Sequence, residues 1–369
     1  MKNIMFAVVR FFLHIFYIFP VKKNKIFFLS SKETGFGYDC KALAEYCMNN
    51  YPDKYILMWG IYDISRFENM NMDKINLVKM RSLFGVYHIM TSKAVIYNVN
   101  APFYIPYRKQ QSLFNTWHGN PYKKIGKDAN DFFNKSQVNF TDYFLSHSKR
   151  YDGIIRGAFE YHGKILRCGV PRNDCLFNKD SSRLQEIRNK FEKCENKKIV
   201  LYAPTYRSDL TINNRINANS VVNALKETFG GEWIVFIRMH PKVTDNICDS
   251  NEQINVTSYP DMQDLLYISD VLITDYSSTL WDFALTGKPI FIFAPDINEY
   301  SKSRGLYDDY FDLPFPFSEN EPELIENIRE FDTLKYSYNL TKHIEEQESY
   351  EQGKACETIM KILNAQRRI

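Results

Sequence analysis

A short apolar strand followed by a helical stretch recurs along nearly the whole chain, and this order restricts the fold most. Strand-like runs fall near residues 25–30, 55–59, 75–79, 94–98, 112–117, 143–146 and 165–168, then near 198–202, 233–238, 254–256, 271–274 and 290–293. Helical patterns at 40–50, 83–91, 149–158, 220–229, 262–268 and 279–286 stand between many of them. Strands this continuously apolar are covered on both faces, and a strand-then-helix order joins parallel neighbours. The polar stretch 178–198 reads as a helix plus connection dividing two such units. The predicted class is α/β, with a parallel sheet in each half.

At 369 residues the chain is long enough for two ordinary cores. Its 44% apolar and 25% charged residues exclude a disordered chain. A net charge of +3 gives no reason to expect nucleic acid as a partner. The seven cysteines form no CxxC pair, so neither a disulfide framework nor a zinc site is expected, and a reducing cytoplasm is the simpler setting. Residues 4–19 are almost continuously apolar and aromatic, flanked by Lys2, Lys22, Lys23 and Lys25 and interrupted by Arg10. The run is shorter than the ~20 residues of a spanning helix, and no small-residue cleavage site follows. Two readings remain: a helix lying in an anionic membrane interface, or a first helix docked on its own domain.

In an open α/β sheet, ligands bind beyond the carboxyl ends of the strands. Two such junctions stand out, Asn115-Thr116-Trp117-His118-Gly119-Asn120-Pro121-Tyr122-Lys123-Lys124 and Ser269-Asp270-Val271-Leu272-Ile273-Thr274-Asp275-Tyr276-Ser277-Ser278. His118 is a candidate general base, because neutral imidazole is available near pH 7; the competing reading is a buried ring satisfying a loop carbonyl. Ser277 and Ser278 begin a helical run, where hydroxyls cap free amides and a phosphate is also at home. Arg238 and His240 end another strand on one face, offering a donor fork and a proton-carrying ring; an ion pair and a cap are the plainer alternatives. Pro204 and Thr205 end a further strand. Arg172 follows Pro171 at a strand exit, and Lys123 and Lys124 either attract an anionic acceptor or are simply solvated. No complete GxGxxG fingerprint is present, which disfavours a nicotinamide cofactor.

Several ordered motifs carry a family likeness. They are Trp117-His118-Gly119, Gly169-Val170-Pro171-Arg172-Asn173-Asp174, Tyr202-Ala203-Pro204-Thr205-Tyr206-Arg207, Arg238-Met239-His240-Pro241, Thr274-Asp275-Tyr276-Ser277-Ser278 with Asp282, and Arg304-Gly305-Leu306-Tyr307. Through them the chain resembles the CDP-glycerol glycerophosphotransferase family of teichoic acid and capsule polyol-phosphate transferases, from about residue 25 to 320. Asn120 stands where that family usually has Thr.

The resemblance implies a GT-B-like fold, with two Rossmann-like parallel-sheet domains facing across a cleft. Residues 1–22 would be the membrane-associating segment, 23–178 the acceptor-side domain and 179–369 the CDP-donor domain. A helix from about residue 344 would pack back on the first domain. His118 and His240 are implied as catalytic. Gly119, Asn120, Pro121, Tyr122, Arg172, Pro204, Thr205, Arg238, Met239, Ser277, Ser278 and Asp282 are implied at the donor. The expected partners are CDP-glycerol or another CDP-polyol, a lipid-linked saccharide or growing polymer with a free hydroxyl, and an anionic membrane surface reached from the cytoplasmic side. No metal or organic cofactor is called for, and a divalent-cation requirement stays open. The competing functions are a nucleotide-sugar glycosyltransferase or epimerase on the same fold, and a silent membrane scaffold.

Overall fold

The computed structural model describes residues 2–30, 35–67, 72, 74–99, 101–102, 104–121, 123–129, 140–178, 180–205, 215–239, 248–307 and 312–365. The chain divides into two compact units. The first comprises Met1–His118, Asn130–Asp174 and Ser349–Ile369, and the second Gly119–Ala129 and Cys175–Glu348.

Unit 1 holds β1 (Lys22–Leu29), β2 (Ile56–Ile61), β3 (Ile75–Lys79), β4 (Ser92–Tyr97), β5 (Ser112–Asn115), β6 (Tyr143–Ser146) and β7 (Lys164–Arg167). They form one sheet in the order β3-β2-β1-β4-β5-β6-β7, and every pairing is parallel. Both faces of β1 are buried. Ile26 and Phe28 pack with Cys40, Leu43, Ala44 and Cys47 of the helix Tyr38–Asn50, while Phe27 and Leu29 enter a second cluster with Val95, Tyr97 and Leu113. Each such side chain contributes about 1.5–3 kcal/mol on burial, which is why the buried part of β1, Ile26–Leu29, is an unbroken apolar run rather than alternating.

Unit 2 repeats the plan with β8 (Lys198–Ala203), β9 (Trp233–Ile237), β10 (Gln253–Asn255), β11 (Val271–Thr274), β12 (Ile290–Phe293) and β13 (Phe317–Ser318). Their order is β10-β9-β8-β11-β12-β13, again all parallel. Ile199 and Leu201 fill one face and Val200 and Tyr202 the other. β13 was not expected, since two residues are too few to show a period.

Several elements differ from their sequence boundaries. The terminal helix begins at Ala355 rather than near 344: a separate helix ends at Glu346, and Glu348 (φ +47°) and Gly353 (φ +67°) turn the chain before the next one starts. Asp174 then accepts hydrogen bonds from the Ala355 and Cys356 amides at 2.9 and 2.8 Å, satisfying two donors of the new helix. Ile359, Met360 and Leu363 of that helix enter the core of unit 1.

Gly119–Ala129, inside the expected first domain, groups with unit 2. There the Lys124 amide donates to the Gly305 carbonyl at 3.1 Å, Lys123 bridges Leu306, and the Tyr307 hydroxyl donates to Asp128 at 2.7 Å.

At the N-terminus a helix, Lys2–Leu13, runs into a 3-10 turn, His14–Ile18. Leu13 is buried, Arg108 donates to the Phe19 carbonyl at 2.6 Å and also to that of Phe16, and the Phe19 ring meets Tyr87 edge-on. Phe11, Phe12, Ile15 and Ile18 are instead 68–74% exposed. The segment is thus docked along one side and apolar toward solvent along another. No helix among the described residues is long and apolar enough to cross a membrane.

Candidate active site

In unit 1, β5 stops at Asn115, two residues earlier than its pattern suggests. The Asn115 side-chain oxygen takes the Trp117 amide at 2.9 Å, and Trp117 turns into the left-handed region at φ +55°. That conformation costs a bulky residue roughly 1–3 kcal/mol, so surrounding contacts must hold it. The Trp117 ring stacks on His118 at 4.2 Å and meets Phe159 edge-on at 4.6 Å.

His118 Nδ1 lies 2.9 Å from the Asn98 carbonyl. A carbonyl only accepts, so Nδ1 carries the proton and Nε2 is left with its lone pair in the neutral ring. Burial lowers the pKa of His118 and the nearby positive Arg172 lowers it further, against the opposing pull of the Asn98 carbonyl. His118 is therefore neutral at pH 7, and the residue keeps an exposed surface.

Arg172, expected at the donor, sits in unit 1 with 3% of its surface exposed. Its guanidinium pairs with Asp39 at 3.0 Å, and its amide donates to the same carboxylate at 3.1 Å. Charges this deeply buried need partners, and Asp39 supplies one. The described contacts make Arg172 a charge placed near His118 and His147. Sequence spacing gave no sign of Asp39, which is 133 residues away from it.

In unit 2 the two motif-bearing junctions meet. Gly119 has φ +147°, and a Cβ there would come within 2.6 Å of Ser278 Oγ. Glycine is required twice, by the backbone angle and by the hydroxyl pressed against it. Ser277 Oγ accepts the Thr279 amide at 3.3 Å and bonds Thr279 Oγ1 at 2.9 Å, so its hydroxyl has the capping role. Ser278 makes no side-chain cap to the helix Thr279–Ala284.

Asp275 is buried and takes the Thr205 amide at 2.8 Å, tying the end of β8 to the end of β11. Tyr276 stacks face to face on Tyr300 at 3.7 Å and donates to Asp296, and Lys123 lies over the Tyr300 ring. Through these rings the Gly119–Ala129 strap is held to the Asp275–Ser278 turn.

Pro121, Pro204 and Asp282 are buried, and Asn120 is half-buried with its side-chain oxygen unpaired. The Arg238 guanidinium donates to the Tyr259 carbonyl at 2.6 Å, and the Met239 amide to Thr257 Oγ1 at 3.0 Å. Tyr122 and His240, along with Tyr206 and Arg207, lie outside the described residues. Among the described residues, no group of three or more His, Cys, Asp or Glu is placed to hold a metal ion.

The sequence profile of the CDP-Glycerol:Poly(glycerophosphate) glycerophosphotransferase family matches residues 11–364. The chain belongs to this family. It is 31% identical to a teichoic acid glycerol-phosphate transferase of Staphylococcus aureus, over 92% of this chain and 93% of the relative. It is 29% identical to a teichoic acid poly(glycerol phosphate) polymerase of Bacillus spizizenii, over 94% and 93%. The wall teichoic acid polymerase TagF, in a histidine-to-asparagine variant soaked with CDPG, superposes with a TM-score of 0.81 at 27% identity, covering 100% of this chain and 96% of TagF. The fold is therefore the GT-B-like class, with two parallel-sheet α/β domains, and the enzyme class is a glycerophosphotransferase rather than a glycosyltransferase or epimerase.

Proposed function

We propose that this protein transfers glycerol phosphate from CDP-glycerol to a hydroxyl of a growing teichoic acid-type chain and releases CMP. The observation carrying the reading is His118, a neutral imidazole fixed by the Asn98 carbonyl and joined by one peptide bond to Gly119. In the transfer, the acceptor O–H proton passes to His118 Nε2. The acceptor oxygen forms a bond to the glycerol-bearing phosphorus, and the bond from that phosphorus to the CMP oxygen breaks. The electron pair leaves with CMP, whose growing charge needs nearby donors.

Unit 2 supplies those donors in this reading. Ser278, not engaged as a cap, and the glycine backbone beside it suit a phosphate oxygen, and Arg238, next after β9, brings a guanidinium to the same unit. Glycerol rather than ribitol is favoured by the glycerol-phosphate relatives, and a CDP-linked donor by the CDPG soak of TagF. Supplying CDP-glycerol, CDP-ribitol and UDP-sugars separately, with product mass and nucleotide release recorded, tests the assignment. CMP with a gain of one glycerol phosphate is expected; UDP release from a sugar nucleotide would overturn it. Replacing both Ser277 and Ser278 with Ala should raise the donor KM ten- to hundredfold, since charge-assisted hydrogen bonds are worth about 1.5–3 kcal/mol each. An unchanged donor KM would leave only the capping role.

The same reading places the enzyme at the inner membrane face, on a lipid-linked acceptor. Its support is the exposed row Phe11, Phe12, Ile15 and Ile18 beside Lys22 and Lys23. Replacing those four apolar residues with Ser should release the protein from anionic vesicles without unfolding it, because the docked side is untouched. Retention on the vesicles would remove the segment from this role.

A further inference from the structure

Asn98 follows β4 and is 1% exposed, yet its side-chain oxygen has no hydrogen-bond partner. Such an atom forfeits its hydration for nothing in return, so native proteins retain very few of them without a use. Its place is particular. In the strand order β2-β1-β4, the connections from β1 and β4 part at the β1/β4 boundary, the point in an open α/β sheet where ligands enter. The Asn98 amide reaches the Leu29 carbonyl at 3.4 Å, so the ladder continues one residue beyond β4. By strand alternation, the Asn98 side chain faces the same way as Ile96, toward the helix Tyr38–Asn50. The first turn of that helix stands close by: Cys40 Sγ lies 3.7 Å from both the Leu29 and Ile96 carbonyls, and the Asn98 amide points at the same sulfur.

Asn98 is also the residue whose backbone carbonyl orients His118. One residue thus holds the base through its main chain and keeps a buried acceptor without a protein donor on its side chain. An amide oxygen only accepts, so its partner must bring a donor: a vicinal hydroxyl of a polyol supplies one, and an ionised phosphate oxygen supplies none.

We propose that Asn98 is an acceptor-recognition residue, its side-chain oxygen receiving a hydrogen bond from a hydroxyl of the acceptor's terminal polyol next to the hydroxyl that His118 deprotonates. This rests on the transferase reading above and names the acceptor end it selects: one bearing two neighbouring hydroxyls. A site built to bond a hydroxyl rejects analogues that lack it far more strongly than an apolar site does.

The test pairs glycerophosphoglycerol as a soluble acceptor with its analogue lacking the terminal vicinal hydroxyl, using CDP-glycerol as donor. The wild type should prefer the full acceptor at least tenfold in kcat/KM. In Asn98→Ala that preference should collapse toward onefold through a raised acceptor KM, while the donor KM is unchanged. The thermal midpoint should hold or rise, because an unpaired buried oxygen has been removed. Asn98→Ser, which keeps a small acceptor, should restore part of the preference. A folded Asn98→Ala enzyme with the wild-type preference would overturn the proposal, as would a preference lost through kcat alone, which would mark a disturbed His118. Failure of the transferase reading looks different: the wild type would release no CMP with either acceptor.

Discussion

The ends of the two sheets carry different kinds of group. In unit 1 they carry groups that set the state of a proton: His118 held by a carbonyl, the buried Asp39–Arg172 pair, and His147 stacked on Tyr151 at 4.4 Å. In unit 2 they carry small hydroxyls, a glycine that only its backbone can occupy, and stacked tyrosines that fix a strap. A proton acceptor needs a tuned pKa and hence burial and charge. An anion site needs donors at close range and hence small residues. The two units share a parallel-sheet plan and differ at the positions where side chains leave the sheet, while their central strands follow the same two-faced packing.

The largest expected effect breaks the proton side alone. His118→Ala should lower kcat by roughly 10²–10⁴ while CDP-glycerol still binds, measured by CMP release at saturating donor and by donor titration. Near-normal kcat in the folded variant would take the base away from unit 1. Next is Asp39→Ala, which strands the Arg172 charge in the interior. A loss of about 3–5 kcal/mol in chemical denaturation is expected. A loss under about 1 kcal/mol would mean that the pair is not buried in solution.

Gly119→Ala tests the anion side. The left-handed angle and the contact with Ser278 should together cost about 1–3 kcal/mol and raise the donor KM. Combining it with Ser278→Ala relieves the contact but not the angle, so only partial recovery is expected; full recovery would show that backbone strain contributes nothing.

His147 gives a pH-dependent contrast. Burial, helped by the charges of Arg172 and Arg150, pushes its pKa down to about 3. The native ring stays neutral while the unfolded chain takes up a proton below pH ~6.5, so this contribution to stability is lost as pH falls from 6.5 toward 3. At pH 5 the loss is about 2 kcal/mol. His147→Phe, which keeps a ring against Tyr151, should be about that much less sensitive than the wild type between pH 7 and 5. Equal sensitivity would mean that His147 protonates without penalty. A smaller effect is expected for Ser277→Ala, which removes a helix cap and should cost about 1 kcal/mol in denaturation. Ser278→Ala should leave stability nearly unchanged.

Much of this arrangement was legible in the chain. Strands such as β6, β11 and β12 fall where their apolar runs do, because burial on both faces leaves an uninterrupted signature. Strand ends were less legible: β5 stops at Asn115 because a side chain competes for the next free amide, a choice between two local hydrogen bonds that hydropathy does not register. The strand-end rule that marked His118 applied equally to Asn98, whose polar side chain closes the run 94–98. Asp39 and Arg172 could not be paired from sequence, because their partnership depends on where the helix after β1 and the turn after β7 come to rest. The attachment of Gly119–Ala129 to unit 2 depends likewise on Gly305 and Tyr307, nearly two hundred residues on.

The discontinuous make-up of unit 1 bears on how the chain is born. Ile359, Met360 and Leu363 complete its interior, yet they are made only after every residue of unit 2. At about 5–20 residues per second, the more than 170 residues between Asp174 and Ala355 take on the order of ten seconds or more. Throughout that interval Leu43 and Cys47 lack the helix that covers them in the finished fold. Unit 1 therefore cannot complete its interior until translation is nearly over, and its uncovered apolar face is where a chaperone would be expected to hold the waiting chain.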